Sequence, residues 1–330
     1  MNSSLLAETT QLLVFAQVRD ILDAMDPSNA GFETPAGGNV DRHTYQKLGY
    51  ERVWRGVYQQ SEAPDGDQWA ARRTAWRHKV RAAMALYAHL QPVLYGPTAL
   101  QALLVALPSS VEDWQRVHIL IPDGRERPRR AGVIAHRSKH PVQPWRMFSG
   151  IPVLHPVDHW LQLPGATLDE MVQIGDGFLR RRNPLLSLDN LEVRLTQLSS
   201  ARRSPLARKA MKDVRANTDS LYETITRLVL VRAGLPVPEV NYPAWCPLAD
   251  TTYHVDMGYP DSKIAIEYDG LVHVQDGLQM EIDADRRRNL QDAGWLLIPV
   301  TASQLRHPEI IIHSVETAFM LRAQRGDLAA

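Results

Sequence analysis

From Asp219 to the C-terminus the apolar residues change period in an order that few folds accommodate. Helical spacing over 220–233 gives way to a Pro-punctuated extended stretch over 236–242. Strands follow at 252–258 and 263–269, then a helix at 281–293, a strand at 295–300 and a helix at 308–325. The Pro260-Asp261-Ser262-Lys263 stretch is a tight turn, so the two middle strands pair as an antiparallel hairpin. The last strand returns through a helix, a crossover that requires parallel pairing. The expected fold is α/β, a mixed sheet flanked by helices, preceded by a mainly helical and small α/β N-terminal region.

Within this frame the strand at 263–269 concentrates acid. Ile264, Ile266 and Tyr268 fall on one face, and Ala265, Glu267 and Asp269 on the other. The two carboxylates are then about 7 Å apart along the strand, from a rise near 3.3 Å per residue. Hairpin pairing brings Asp256 beside them, and Glu223, on the preceding helix, supplies a further carboxylate. Like charges so close repel unless one takes a proton or a cation neutralises them, and a divalent metal held by Asp256, Glu267 and Asp269 resolves the conflict. Plainer readings stand beside this one. Glu223 precedes Arg227 by four residues and suits a helix ion pair, Asp269-Gly270 suits a turn, and Glu267 suits an exposed edge strand. Asp283 and Asp285 lie two apart and do not share a helix face, so at most one points into the site, while Asp285 suits fixing Arg286. Trp295 after Gly294 reads as core packing beyond a helix C-cap.

The charge total is balanced, with Lys plus Arg at 37 and Asp plus Glu at 37 in 330 residues, but its distribution is not. Residues 1–68 carry ten acidic and five basic side chains, a face that repels phosphate and suits a protein partner. Residues 116–148 carry eight basic against two acidic, and 201–232 eight basic against three. Residues 250–285 reverse the sign, with nine acidic side chains opposed by Lys263 alone. Carboxylates for a cation between basic segments for phosphates suit a site acting on a polyanion. The candidate phosphate contacts are Arg125, Arg127, Arg129, Arg130, Arg137 and Lys139 in the first segment and Arg208, Lys209 and Lys212 in the second. Cys246 alone makes neither an internal disulfide nor a Cys-rich zinc site. No apolar run approaches the roughly 18 residues that span a bilayer, and MNSSLLAETT lacks a basic leader, so a cytoplasmic protein without membrane contact is expected.

Upstream, the spacing predicts helices at 5–25, 67–90 and 98–106, the last with Thr98 as N-cap, and a strand at 53–58. Strands at 116–121 and 132–136 read as a hairpin joined by the basic PDGRERPRRA turn. Helices at 156–163, 168–180 and 188–198 precede a polar connector at 199–205. Four regions result: a helical, winged-helix-like region at 1–90, a small α/β domain at 91–165, a helical connector at 166–217 and the acid-bearing domain at 218–330. His155 and His159, though four apart, read as structural, and His136 and His140 as phosphate contacts beside Arg137 and Lys139. P-loop, dinucleotide-binding and serine-hydrolase motifs do not occur.

Four spaced motifs carry a family resemblance: Ser220-x-x-Glu223, His254-Val255-Asp256, Ile266-Glu267-Tyr268-Asp269-Gly270 with His273 beyond it, and Asp283-x-Asp285-Arg286 followed by Leu290 and Gly294-Trp295. Together they resemble the Vsr-like endonuclease domain of the PD-(D/E)XK nuclease superfamily over about the last third of the chain. Arg55-Gly56-Val57-Tyr58, the helix read from Gly96 to Leu104, His136-Arg137 and Gly150-Ile151-Pro152-Val153 resemble the AbiEi-type antitoxin domain. The nuclease resemblance implies DNA phosphodiester hydrolysis dependent on Mg²⁺ or Mn²⁺, with Asp256 and Glu267 as metal ligands and Glu223 and Asp269 supporting them. It also exposes a departure, because Asp269 stands where the superfamily usually has a catalytic lysine. His273 is the first substitute and Arg286 the second. The structural zinc of Vsr repair enzymes has no counterpart here, with Cys246 alone. A rival expectation is an antitoxin-like regulator that binds DNA or a partner through a catalytically silent nuclease fold.

Overall fold

The computed structural model describes residues 50–54, 57–60, 68–122, 128–138, 142, 144–148, 151–270 and 277–327. The fold is mixed α/β and divides into two compact units, Met1–Ala166 with Asn190–Ala207, and Thr167–Asp189 with Arg208–Ala330. The helix read at 5–25 lies outside the described residues.

In the first unit β1 (Tyr50–Trp54) pairs antiparallel with β2 (Val57–Gln60), so the single strand read at 53–58 is two. Next come α1 (Gln68–Leu86), β3 (Val93–Leu94), α2 (Gly96–Ala102), β4 (Val117–Ile121), β5 (Val133–Arg137), β6 (Arg146–Phe148), β7 (Ile151–Val153) and α3 (Pro156–Trp160). The last five strands form one mixed sheet ordered β5-β4-β3-β7-β6. Two expectations are corrected here. Thr98 lies inside α2, where its hydroxyl accepts the His118 N–H at 2.9 Å, and Tyr95 is the N-cap. The strands read as a basic hairpin pair in parallel, Val117 opposite Val133 through Ile121 opposite Arg137. β4 is buried along its whole length, as strands inside a parallel part of a sheet are.

The stretch read as a connector is largely helical: α4 (Leu168–Phe178), α5 (Leu188–Gln197) and α6 (Ser204–Met211), with Ser204 and Pro205 already inside α6. Its residues are shared between the two units. A capping box closes the start of α4, the Thr167 hydroxyl accepting the Glu170 N–H while the Glu170 carboxylate accepts that of Thr167.

The second unit continues with α7 (Leu221–Arg232), β8 (Glu239–Cys246), β9 (Thr251–Tyr259), β10 (Ile264–Asp269), α8 (Gly277–Asp292), β11 (Leu296–Thr301) and α9 (Pro308–Asp327). Its sheet is ordered β11-β10-β9-β8, with β9 and β10 antiparallel and β10 and β11 parallel, as the sequence pattern requires. Strand alternation sorts the core. Ile264 and Ile266 join Leu230, Val300, Ile311 and Val315 on one side, with Tyr268 packed against them. Ala265 joins Ala244, Val255, Leu290 and Trp295 on the other. Gly294, at φ +83°, ends α8 and turns the chain into β11. There the Lys263 ammonium donates to the Ala293 carbonyl at 2.9 Å, so the lone cation of the acidic segment fastens a helix end.

α7 is fixed to α4 by a buried ion pair: the Arg227 guanidinium donates to Asp176 at 2.7 Å, and the Thr224 hydroxyl donates to the same oxygen at 2.8 Å. Both charged side chains are 1 % exposed. Arg227 therefore serves the core and is not the helix partner of Glu223. With α7 anchored, its first turn is held at the end of the sheet where the acids of β9 and β10 emerge.

Candidate active site

β9 and β10 pair from Ile264 opposite Tyr259 to Ile266 opposite Met257, and their ladder then stops while β10 stays paired with β11 as far as Asp269 opposite Thr301. The Tyr268 N–H, left without a carbonyl across the hairpin, is accepted by Asp256 Oδ2 at 2.8 Å. Side-chain alternation also breaks here, since Met257 belongs to the same cluster as Ile266, while Val255 belongs to the opposite one. On β8, the Asn241 position facing this break has φ +51°. A strand end with an unpaired edge thus places Asp256 beside the carboxylates of β10 without a long loop.

Asp256, Glu267 and Asp269 line one cavity of about 440 Å³, together with Asp283, Arg286 and Arg287 from α8. Asp256 and Glu267 therefore open to the same side of the sheet. Asp283, not Asp285, is the acid of α8 that faces it. Asp285 pairs with Arg288 at 3.3 Å, which corrects the expectation that it fixes Arg286. Arg286 instead makes a two-pronged ion pair with Glu267, one bond at 3.1 Å, and donates to the His254 carbonyl at 2.8 Å. Arg287 lies 3.6 Å from Asp269. Of the two substitutes for the missing lysine, Arg286 reaches the site, and His273 lies outside the described residues.

A second group of charges lies at the start of α7, near enough to Asp256 for their charges to interact. Glu223 is buried, and its Oε2 accepts the Asp219 N–H at 2.8 Å, while its own N–H is accepted by the Ser220 hydroxyl at 3.1 Å. Asp219 holds Arg181 through an ion pair. This bond, with the more distant charges of Glu223 and Asp256, raises the Arg181 guanidinium above its ordinary pKa. Burial pushes the Glu223 carboxyl up to about 7, and the Asp256 charge adds to it. Burial likewise pushes Asp256 up to about 6, the Tyr268 N–H opposing the rise and the Glu267 charge reinforcing it. Arg181, Asp219 and Arg287 escape a sequence reading because Arg181 and Asp219 are 38 residues apart and α8 carries three consecutive arginines that periodicity does not rank.

Among the described residues no group of three or more His, Cys, Asp or Glu side chains is arranged to hold a metal ion. Magnesium makes a smaller demand. It binds through one or two carboxylates and completes its shell with water and phosphate oxygens. Asp256 and Glu267 place two carboxylates on one cavity, the donor number that magnesium takes from a protein. The condition is that Glu267 exchanges Arg286 for the ion.

The basic candidates divide. Arg208, Lys209 and Lys212 are exposed around α6, whose Ala207 and Ala210 are buried. Arg129 and Arg137 are exposed in the first unit, and Arg130 lies over the Trp54 ring at 5.9 Å. Arg125, Arg127, Lys139 and His140 lie outside the described residues. His136 turns to a side-chain cluster, its Nε2 3.2 Å from His118 Nδ1 and its ring 4.7 Å from that of Tyr95. His159 is fully buried and His155 caps α3, in keeping with structural roles. No helix among the described residues is long and apolar enough to cross a membrane.

No protein-family model matches the chain. It is similar to two proteins of Mycobacterium tuberculosis, the uncharacterized proteins MT2308 and Rv2248, each 27% identical over 139 residues. The match covers 39% of this chain and 51% of theirs, so the chain spans about half the length of these curated relatives. The crystal structure of the RV2827C protein from Mycobacterium tuberculosis covers 54% of this chain and 68% of its own at 16% identity. Its TM-score of 0.32 is too slight a likeness to support an argument about fold or function.

Proposed function

We propose that the second unit is a divalent-metal-dependent phosphodiesterase acting on DNA as a nicking or repair-type endonuclease in the cytoplasm. The observation that carries this reading is the convergence of Asp256 and Glu267 on one cavity ringed by Arg286 and Arg287. Asp256 and Glu267 would hold Mg²⁺ or Mn²⁺, with Asp269 beside them. When bound, the ion supplies an acidified water and stabilises charge on the phosphoryl oxygens. Arg286, released from Glu267, reaches a phosphate oxygen with a bidentate fork suited to that geometry. Arg287, already at the rim, holds the neighbouring phosphate. Glu223 has a pKa near neutrality, and its Oε1 takes up or returns a proton on the α7 side. Arg208, Lys209 and Lys212 contact the backbone farther along.

The two-pronged Glu267–Arg286 pair favours a second reading, because it neutralises the carboxylate without a metal. On that reading the protein is an antitoxin-like regulator, binding DNA or a protein partner through a silent nuclease fold. Supercoiled plasmid separates the two. With Mg²⁺ or Mn²⁺ the enzyme nicks it, and both Asp256→Asn and Glu267→Gln abolish nicking. Binding without cleavage, unaltered in both variants, establishes the regulator. DNA affinity should also fall steeply with salt, and replacing Arg208, Lys209 and Lys212 together with alanine should flatten the log–log slope by about 2 to 3. A flat salt dependence in the parent protein would remove DNA as the partner.

A further inference from the structure

Beside the acids lies a feature that phosphodiester hydrolysis does not require. Tyr222, in the first turn of α7, stacks on Tyr268 of β10 with ring centroids 4.8 Å apart and planes only 8° from parallel. Tyr268 is supported by the core cluster of Ile264 and Ile266. Tyr222 is 46% exposed, although its neighbour Glu223 is buried. Each ring is adjacent in sequence to an acid of the site, Tyr222 to Glu223 and Tyr268 to both Glu267 and Asp269. The Tyr268 backbone is also the donor that holds Asp256. The result is a stacked aromatic pair, or shelf, at the end of β10, on the sheet face opposite the Glu267 and Asp269 side chains; Tyr268 also borders the acid cavity, its ring packs on the core, and the Tyr222 ring is half open to solvent.

An exposed apolar ring pre-stacked in parallel on a supported one is an arrangement that accepts a third flat ring. Every nucleobase offers a π-face, and stacking on an aromatic side chain tolerates any base sequence. Bases inside a duplex have both faces covered, so only an unstacked base can use the shelf. Resting on the phosphodiesterase reading above, we infer that Tyr222 is a substrate-positioning residue that stacks on an unpaired base. The preferred substrate is therefore DNA that is single-stranded or distorted at the reacting phosphate. Arg287, with its side chain 58% exposed beside Asp269, supplies a phosphate contact for the same strand.

The test is equilibrium binding in EDTA in the Asp256→Asn background, so that cleavage plays no part, by anisotropy of a labelled oligodeoxynucleotide offered single-stranded and as a duplex of the same sequence. Tyr222→Leu should weaken single-strand binding about tenfold or more and leave duplex binding within about twofold, while Tyr222→Trp retains both. The inference is overturned if Tyr222→Leu leaves single-strand affinity unchanged, if both forms weaken equally, or if the parent protein does not bind the single strand. A protein that holds the single strand through Tyr222 yet never nicks plasmid would sink the hydrolase reading and leave the shelf standing.

Discussion

Asp256 Oδ2 accepts the backbone N–H of Tyr268 at 2.8 Å, so one acid both completes the end of a β-ladder and lines the cavity of the site. These two duties separate by substitution. Asp256→Asn keeps an oxygen for the Tyr268 N–H and should unfold within about 1 kcal/mol of the parent protein while losing metal-dependent nicking. Asp256→Ala strands that N–H and should cost a further 1–3 kcal/mol or so. Urea melts beside a plasmid assay read both, and equal stability of the two variants would deny the structural duty.

Arg286 competes with any cation for Glu267. Arg286→Met should therefore bind Mn²⁺ about tenfold more tightly by titration calorimetry, a change of about 1.4 kcal/mol. Its nicking should fall, because the fork that reaches phosphate is gone. Weaker Mn²⁺ binding in this variant would mean that Arg286 supports the carboxylates rather than guarding them.

Glu223 makes the site sensitive to pH. Its folded pKa, about 7, lies above the ordinary glutamate value, and burial is the main cause. The native state thus holds a proton that the unfolded chain has released. The corresponding stability is fully present below about pH 4.5, falls as pH rises and is gone above about pH 7. Urea-derived stability should decline across that window, and Glu223→Gln, which stays neutral, should decline less. An unaltered slope in the variant would place the proton elsewhere.

The Asp176–Arg227 pair sets the position of α7. Asp176→Ala leaves a guanidinium buried without its carboxylate and should cost about 3–5 kcal/mol, whereas Asp176→Leu with Arg227→Met should recover most of it. Denaturant midpoints of the single and double variants decide this. A single variant losing less than about 1 kcal/mol would show that water relieves the buried charge.

The sequence by itself determined the β9–β10–β11 part of the second sheet, but not the edge strand β8. Alternation over Ile264 to Tyr268, a turn before Lys263 and a helical return to β11 leave little choice, because period and turn chemistry are properties of neighbouring residues. The sharing of one face by Glu267 and Asp269 follows from the same alternation. Tertiary structure decided which cation meets which carboxylate. Arg286 meets Glu267 and Arg181 meets Asp219 because helix packing brings together residues 19 and 38 positions apart. The same holds for β4 and β5, whose parallel pairing depends on where the rest of their sheet lies. Local pattern fixes which face a side chain takes. The partner it finds there is set by long-range packing, which no window of neighbouring residues encodes.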